Sequence, residues 1–348
     1  MTEENAADRL EDAPHPRERA ILIGHHSAEQ ALLDAYRSGR MHHAWIIGGP
    51  EGIGKATLAY RMARFALAFP DPTRLGEIKD LSLSPEHPAF RRVQAGSSTD
   101  LLVLRRIAEV GKDRVPTTIS VDAVRKIVPF FGSTAGEGGW RICIVDAADD
   151  LGREGANALL KLLEEPPPRS LFLIVSHMPG RLLATIRSRC RMLTLSPLSE
   201  AEIVAGLASF PDLEVSDEDA AAAARLADGS LRRALELVGG EDLAWSSAID
   251  QAIDTLPQVD PEMLHALGDK LARRDDRAFD LFLRQVRDYL SSELARGASA
   301  GARHLAPLAE VWEKISSAAA EVRTYNLERK PFVFEVFGLL SEARRRQS

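Results

Sequence analysis

The hydrophobic residues of this chain form two kinds of pattern, and the change between them falls at Pro197. Before that residue, continuous apolar runs alternate with segments of helical spacing, such as 27–38 and 57–69. Short continuous runs are typical of strands buried on both faces of a parallel sheet. Four such strands are predicted: Ala44–Gly48, Leu101–Leu104, Arg141–Asp146 and Leu171–Ser176. The alternation predicts an α/β fold, with a parallel sheet and helices on both of its faces.

The segments around these strands are less regular. Ile119 begins a pattern that predicts one helix as far as about Phe131, whereas 70–98 is rich in Pro, Ser and Gly and predicts a loop. The first eighteen residues are polar, contain two prolines and predict a mobile leader. Beyond Pro197 only helical patterns occur. Three domains are therefore predicted: an α/β core at 1–197, a small helical lid at 198–242 and an all-α domain at 243–348.

Composition narrows the classes of function. The 348 residues are 45% hydrophobic and carry a formal net charge of −7. The apolar runs fall short of the ~20 residues that span a bilayer, and the acidic start is unlike a signal peptide, so we expect a cytoplasmic protein without membrane contacts. An acidic total argues against a protein that grips DNA by itself. Cys143 and Cys190 are too few for a four-cysteine zinc site, and no metal site is predicted.

A glycine-rich segment between the first strand and the following helix carries the clearest chemistry. It matches the phosphate-loop pattern except that Ala56 replaces the hydroxyl residue that ligates Mg²⁺. Its glycines let backbone N–H groups point at phosphate oxygens, and Lys55 supplies positive charge. Two interpretations stay open, a weakened nucleotide site and a turn that binds nothing. The candidate nucleotide-binding residues here are Gly49, Gly52, Gly54, Lys55 and Thr57, the last one residue late for the metal.

A second difference from the usual pattern of phosphate-loop hydrolases follows the third predicted strand. Asp146 stands where a carboxylate can hold the metal's water shell, so it joins the candidate nucleotide-binding residues. The next position normally carries the base that positions the attacking water, and here it is Ala147. Asp149 and Asp150 are close in sequence, but a solvated helix cap is the favoured interpretation of both. The sequence therefore predicts at most nucleotide binding and argues against hydrolysis.

Two longer segments, Leu151–Pro167 and Leu182–Cys190, resemble the sliding-clamp loader subunits of the AAA+ class, and the likeness continues through Gly229–Arg232. In that family the arginine of a Ser-Arg-Cys sequence reaches across an interface to the γ-phosphate held by the next subunit. The resemblance implies this catalytic role in trans for Arg189, with Ser188 beside it. A guanidinium suits the role because it is a rigid, permanently charged fork. From the residues alone, a structural arginine that pairs with a local carboxylate is the alternative.

The same resemblance implies roles for other parts of the chain. Arg232 corresponds to the lid arginine that touches a bound nucleotide, and Ser176 corresponds to a polar sensor at the end of a strand. The domain at 243–348 corresponds to a collar that assembles the subunits. Family members often carry a cysteine-ligated zinc module, but 70–100 contains no cysteine, so that module is absent or replaced.

Together these features imply a non-motor, or stator, subunit of the DNA polymerase III clamp loader, without ATPase activity of its own. No cofactor is required, and ATP binding is possible. The implied partners are gamma/tau-like motor subunits, a delta-like subunit and, through the assembly, the sliding clamp and primer-template DNA. One alternative is an active motor subunit of the same loader that uses Thr57 and Asp149. Another is a scaffold with a vestigial loop and a structural Arg189.

Overall fold

The chain divides between Gly239 and Gly240 into two compact units. Among the residues that the structure describes, the first unit contains the five strands and the first ten helices, and it includes the predicted lid as far as Gly239 together with the predicted core. Among the described residues, none of the helices combines the length and apolar character that crossing a bilayer requires. The computed structural model describes residues 13–106, 118–132, 139–238, 242–272, 276–297, 302–325 and 327–347.

The first unit is built around one parallel sheet. Its strands are Ala44–Gly48 (β1), Leu101–Arg105 (β2), Arg141–Asp146 (β3), Ser170–Ser176 (β4) and Arg191–Thr194 (β5). Their order is β2-β3-β4-β1-β5, which confirms the predicted α/β class and places the first strand inside the sheet. β5 was not predicted, because it is short and lies at the edge with mostly exposed residues, so no apolar run marks it.

Helices cover both faces of this sheet. Alternate residues of β1 point to opposite faces, so Trp45 packs into one hydrophobic cluster and Ile46 into the other. The helices of the first unit are His26–Arg37 (α1), Lys55–Ala68 (α2), Pro88–Gln94 (α3), Val121–Arg125 (α4), Ile127–Gly132 (α5), Arg153–Glu164 (α6), Ala184–Arg187 (α7), Glu200–Ala208 (α8), Asp217–Leu226 (α9) and Leu231–Val238 (α10). α1 and α2 cover the Trp45 face, whereas α6 and α7 cover the Ile46 face.

Two predictions for this unit are wrong in detail. The helix predicted from Ile119 to Phe131 is two helices, α4 and α5. Pro129 explains the break, because it has no N–H to donate to the carbonyl of Arg125. Of the predicted mobile leader, 1–12 lies outside the described residues, and His15 is buried with its ring 5.8 Å from that of Tyr60. The end of the leader is therefore part of the core.

The segment at 70–98 is more ordered than a loop. It contains α3, and its apolar side chains reach the core: Leu75, Leu81, Phe90 and Val93 are at most 4% exposed. The guanidinium of Arg64 lies 4.3 Å from the centre of the Phe90 ring. Hydrophobic packing therefore holds this segment, which has no cysteines to ligate zinc.

The second unit is entirely helical in its described residues. It packs around a cluster that includes Trp245, Phe279, Phe282 and Phe337. Its helices are Asp242–Asp254 (α11), Pro261–Ala272 (α12), Asp276–Gly297 (α13), Ala302–Tyr325 (α14) and Arg329–Gln347 (α15).

Candidate functional site

The phosphate-loop segment lies between β1 and α2, as such a loop requires. Gly52 and Gly54 have φ of 77° and 107°, in the left-handed region that favours glycine. Lys55 begins α2 and is only 3% exposed, and its Nζ donates a hydrogen bond to the carbonyl of Pro50. Burial lowers the pKa of Lys55 to about 8, while the charges of Asp146 and Glu51 act in the opposite direction. The loop is thus formed, with its cation turned onto its own backbone.

The lid lies directly on this loop. The backbone N–H of Arg232, in α10, donates to the carbonyl of Gly52 over 3.1 Å. A side chain at Gly52 would lie 2.1 Å from Ser230 Oγ, so only glycine permits this approach. The guanidinium of Arg232 pairs with Glu236 on its own helix, Nε to Oε1 3.2 Å. Backbone and side-chain contacts within the chain therefore join the lid to the loop.

A cavity of about 170 Å³ remains between the loop and the lid. Its walls include Lys55, Thr57, Asp146 and Arg232, so most of the predicted nucleotide-binding residues do come together; Gly52 and Gly54 also line it. At the lid end, the guanidinium of Arg19 lies 3.9 Å from the centre of the Phe210 ring. The cavity combines apolar walls, such as Leu198 and Leu235, with charged ones, which is the usual make-up of a ligand pocket.

At the charged end, Asp146 is present, but two groups that support metal-dependent hydrolysis are replaced by alanine. Ala56 offers no hydroxyl, and Ala147 is 3% exposed and offers no carboxylate. On this side Arg106 lines the cavity and pairs with Asp150, Nε to Oδ2 2.8 Å. Burial raises the pKa of the Asp150 carboxyl, against the opposing charge of Arg106. Sequence reasoning missed Arg106, because it follows a strand that carried no recognised motif.

Asp149 is not the solvated cap that the sequence suggested. Its carboxylate accepts hydrogen bonds from Ser176 Oγ at 3.1 Å and from the backbone N–H groups of His177 and Met178 at 2.7 and 2.9 Å. Burial by itself would raise the pKa of Asp149, but these three donors hold it below its ordinary value. Asp149 thus ties the ends of β3 and β4 together. The predicted sensor Ser176 is a donor in this structural contact.

Arg189 lies away from the cavity, between α7 and β5. Its Nη2 pairs with Glu164 Oε1 at 2.8 Å, and its Nη1 donates to the carbonyl of Thr185 at 2.9 Å and to Ser188 Oγ at 3.3 Å. The side chains of Arg189 and Glu164 are 35% and 44% exposed. The local carboxylate of the alternative interpretation is therefore present. Sequence reasoning did not name Glu164, although it stands in the Glu-Glu-Pro sequence that ends α6.

The strand order, with a phosphate loop after β1 and a helical lid above it, defines an α/β unit of the AAA+ class. The family model described as "DNA polymerase III, delta subunit" matches residues 24–199, about half of the chain, and the chain belongs to that family.

The similar proteins are named as different subunits of DNA polymerase III. DNA polymerase III subunit delta' of Escherichia coli K12 is 34% identical over 226 residues, which cover 64% of this chain and 63% of that protein. DNA polymerase III subunit tau/gamma of Haemophilus influenzae is 29% identical over 227 residues, 64% of this chain and 30% of that protein. A DNA polymerase III gamma subunit-related protein of Thermotoga maritima aligns with a TM-score of 0.42 and 16% identity, over 90% of this chain and 100% of that one. The match to the Escherichia coli protein thus covers less than two thirds of its length.

Proposed function

We propose that this chain is a stator subunit of the DNA polymerase III clamp loader and donates Arg189 to the nucleotide site of a neighbouring motor subunit. The proposal is based on the contrast between the chain's own cavity and the surroundings of Arg189. Its own cavity has alanine at both positions that support metal-dependent hydrolysis, Ala56 and Ala147, whereas Arg189 stands half-exposed at the edge of the unit. The motor subunits would be of the gamma/tau type, with a delta-like subunit completing the loader that places the sliding clamp on primer-template DNA.

The pair between Arg189 and Glu164 is compatible with this role. Ion pairs between exposed side chains contribute only about 0–1 kcal/mol, so a competing anion can replace Glu164 at little cost. Hydrogen bonds from a guanidinium to phosphate are charge-assisted and often bidentate, and they are the stronger interaction. An arginine supplied in trans is worth ~10³–10⁵ in the rate of phosphoryl transfer.

For the chain's own cavity we propose no turnover, and stator function would need no bound nucleotide. Two observations keep the alternative motor role testable: Lys55 is retained, and the relative from Haemophilus influenzae is named as a tau/gamma subunit. Against that role, Asp149 holds three protein hydrogen bonds and is not available as a base. Magnesium-dependent hydrolysis by the purified chain alone would support the motor role instead.

The test is a reconstituted loader in which this chain is wild type, Arg189→Ala or Arg189→Lys. We expect both substitutions to lower the clamp- and DNA-stimulated ATP turnover of the motor subunits by about 10³-fold at the affected site, because lysine lacks the planar fork. Arg74→Ala is the matched control, since Arg74 is also a surface arginine next to an acidic residue. Wild-type turnover with Arg189→Ala would favour the scaffold with a structural arginine.

A further inference from the structure

The first unit contains a second cavity, which the proposed function does not use. Its volume is about 180 Å³, close to that of the cavity under the lid. It lies beside β2, the strand at one edge of the sheet, and its other walls come from α2, from α3 and the turn after it, and from the segment that precedes α1. A cavity of this size has room for several water molecules or one small polyatomic ion.

β2 places a buried arginine in the wall of this second cavity. Leu101, Val103 and Arg105 alternate along the strand, so their side chains point to the same face of the sheet. Leu101 and Val103 pack against the cluster that contains Trp45. Arg105 ends this row and is only 7% exposed, and its Nη1 lies 2.7 Å from Nε2 of His15. A permanently charged guanidinium is therefore held below the surface, beside the cavity.

A second arginine, Arg17, lines the same cavity from the segment that precedes α1. Its side chain is 15% exposed. Two hydrogen bonds fix its backbone: its N–H donates to Nδ1 of His15 at 3.1 Å, and its carbonyl accepts from Nη1 of Arg64 at 3.0 Å. The fold thus sets the position of Arg17, and a ligand would not have to order this segment when it binds.

The charge around the second cavity is mainly positive, although the chain as a whole carries a net charge of −7. The described residues that line it include two arginines and no carboxylate. α2, α3 and β2 contain no Asp or Glu, and their six basic residues are Lys55, Arg61, Arg64, Arg91, Arg92 and Arg105. Glu18 follows Arg17, but its Oε1 is 3.8 Å from Nε of Arg17, which is longer than a hydrogen bond. Two guanidinium groups beside one cavity repel each other, whereas an anion in the cavity attracts both.

We propose that the second cavity binds a small anion that carries a phosphate group, held by Arg17 and Arg105. Guanidinium groups form charge-assisted and often bidentate hydrogen bonds with phosphate oxygens. Tyr60 and Ser98 line the same cavity and carry hydroxyl groups, which can donate to the remaining oxygens. Inorganic phosphate and a small phosphate ester share this chemistry. A nucleic-acid strand is a less suitable ligand, because proteins follow its backbone with an open groove, whereas Arg105 is buried. The inference does not depend on the stator function.

The experiment measures the binding of inorganic phosphate by isothermal titration calorimetry. The full chain carries Lys55→Met as its background, because the phosphate loop is another possible site for an anion. We expect this background to bind one phosphate per chain, and the added substitution Arg17→Gln to weaken binding about tenfold, since it removes a charge-assisted contact. Arg74→Gln is the matched control, because it removes the same charge from an exposed arginine next to an acidic residue. Circular dichroism and thermal unfolding verify that each protein is folded.

A second variant tests the space rather than the charge. Val103→Phe adds volume at a residue that lines the cavity and leaves every charge in place. In the same background it should also weaken phosphate binding about tenfold or more, because the ring occupies the volume that the anion needs. Val128→Phe, at a residue that is 60% exposed, is its control and should bind phosphate like the background.

Titration with glycerol 3-phosphate then distinguishes the two sources of the phosphate group. Binding of both probes would mean that the group itself is recognised, and binding of one probe alone would identify the free anion or the ester. The proposal is overturned if the background binds neither probe, if Arg17→Gln and Arg74→Gln weaken binding equally, or if Val103→Phe binds like its control. An effect of Arg17→Gln that is confined to single-stranded DNA would overturn it as well. These measurements need no partner subunit, so their failure leaves the stator function untouched.

Discussion

The cavity under the lid and the edge around Arg189 belong to the same unit but are built in opposite ways. Around the cavity, charged groups are paired within the chain: Lys55 donates a hydrogen bond to the carbonyl of Pro50, and Arg106 pairs with Asp150. Next to the cavity lining, Asp149 accepts hydrogen bonds at the end of β4. At the edge, Arg189 pairs with the exposed carboxylate of Glu164 and donates hydrogen bonds to the carbonyl of Thr185 and to Ser188 Oγ. The charged groups around the cavity are buried or partly buried, whereas the pair of Arg189 with Glu164 is exposed to solvent.

This difference follows from where the charged groups lie. With alanine at positions 56 and 147, the buried charges around the loop still need partners, because an unpaired buried charge is costly. Backbone and side-chain oxygens of the chain itself fill that need. An exposed arginine carries no such requirement, so Arg189 remains available. We therefore expect substitutions in the cavity to change the stability of the fold, and substitutions at the edge to change function in the assembly.

The largest expected effect on stability comes from Asp149→Ala. It leaves Ser176 Oγ and two backbone N–H groups without their acceptor at the end of the sheet. Hydrogen bonds to a charged group contribute about 1.5–3 kcal/mol each, and buried donors without partners add a penalty, so we expect a loss of about 3 kcal/mol in the free energy of unfolding. Denaturant titration measures it.

Asp149→Asn is the matched control, because it keeps the shape and one acceptor oxygen and should lose less than Asp149→Ala. A loss below about 1 kcal/mol for Asp149→Ala would restore the solvated-cap interpretation. It would also remove the argument that Asp149 is unavailable as a catalytic base.

A smaller effect is expected for Lys55 and depends on pH. The pKa of Lys55 in the folded chain, about 8, lies below its ordinary value of 10.5, so the unfolded chain binds more protons between these pH values. The cost of burying the ammonium is therefore present in full below pH 8 and is relieved as the pH rises. Relative to Lys55→Met, wild type should gain on the order of 1 kcal/mol in the free energy of unfolding between pH 7 and pH 9.5.

Lys79→Met, which removes an exposed lysine, is the control for general charge effects at high pH. A wild type that gains no stability over Lys55→Met in this range would mean that the ammonium is already well solvated. The loop would then be open, and the contrast between cavity and edge would lose its main support.

Patterns in the sequence predicted most of the sheet, because buried parallel strands are continuous apolar runs. β1 and β3 have the predicted boundaries. β5 escaped, since an exposed edge strand that begins with Arg191 has no such run. The motif revealed the phosphate loop but not its contact with the lid, because the hydrogen bond between Gly52 and Arg232 joins residues 180 positions apart.

The roles of individual charges were harder to predict than the fold. Asp149 and Asp150 are adjacent in sequence, yet Asp149 accepts hydrogen bonds at the end of β4, whereas Asp150 forms an ion pair with Arg106. Nothing local distinguishes them, because their partners come from other strands. The pairing of Arg189 with Glu164 likewise depends on how α6 and α7 pack. Motifs therefore pointed to the candidate site, whereas the partners of its charged residues could be read only from the three-dimensional structure.

The smallest expected effect is that of Glu164→Gln, which removes the charge facing Arg189 but keeps an acceptor. The side chains of Arg189 and Glu164 are 35% and 44% exposed, so water screens their interaction. We therefore expect the free energy of unfolding to change by less than about 1 kcal/mol. In the reconstituted loader, turnover should stay within about threefold of wild type, because the phosphate and not Glu164 would hold the assembled arginine. A loss above tenfold would mean that Glu164 orients the finger, and the edge would then be as internally organised as the cavity.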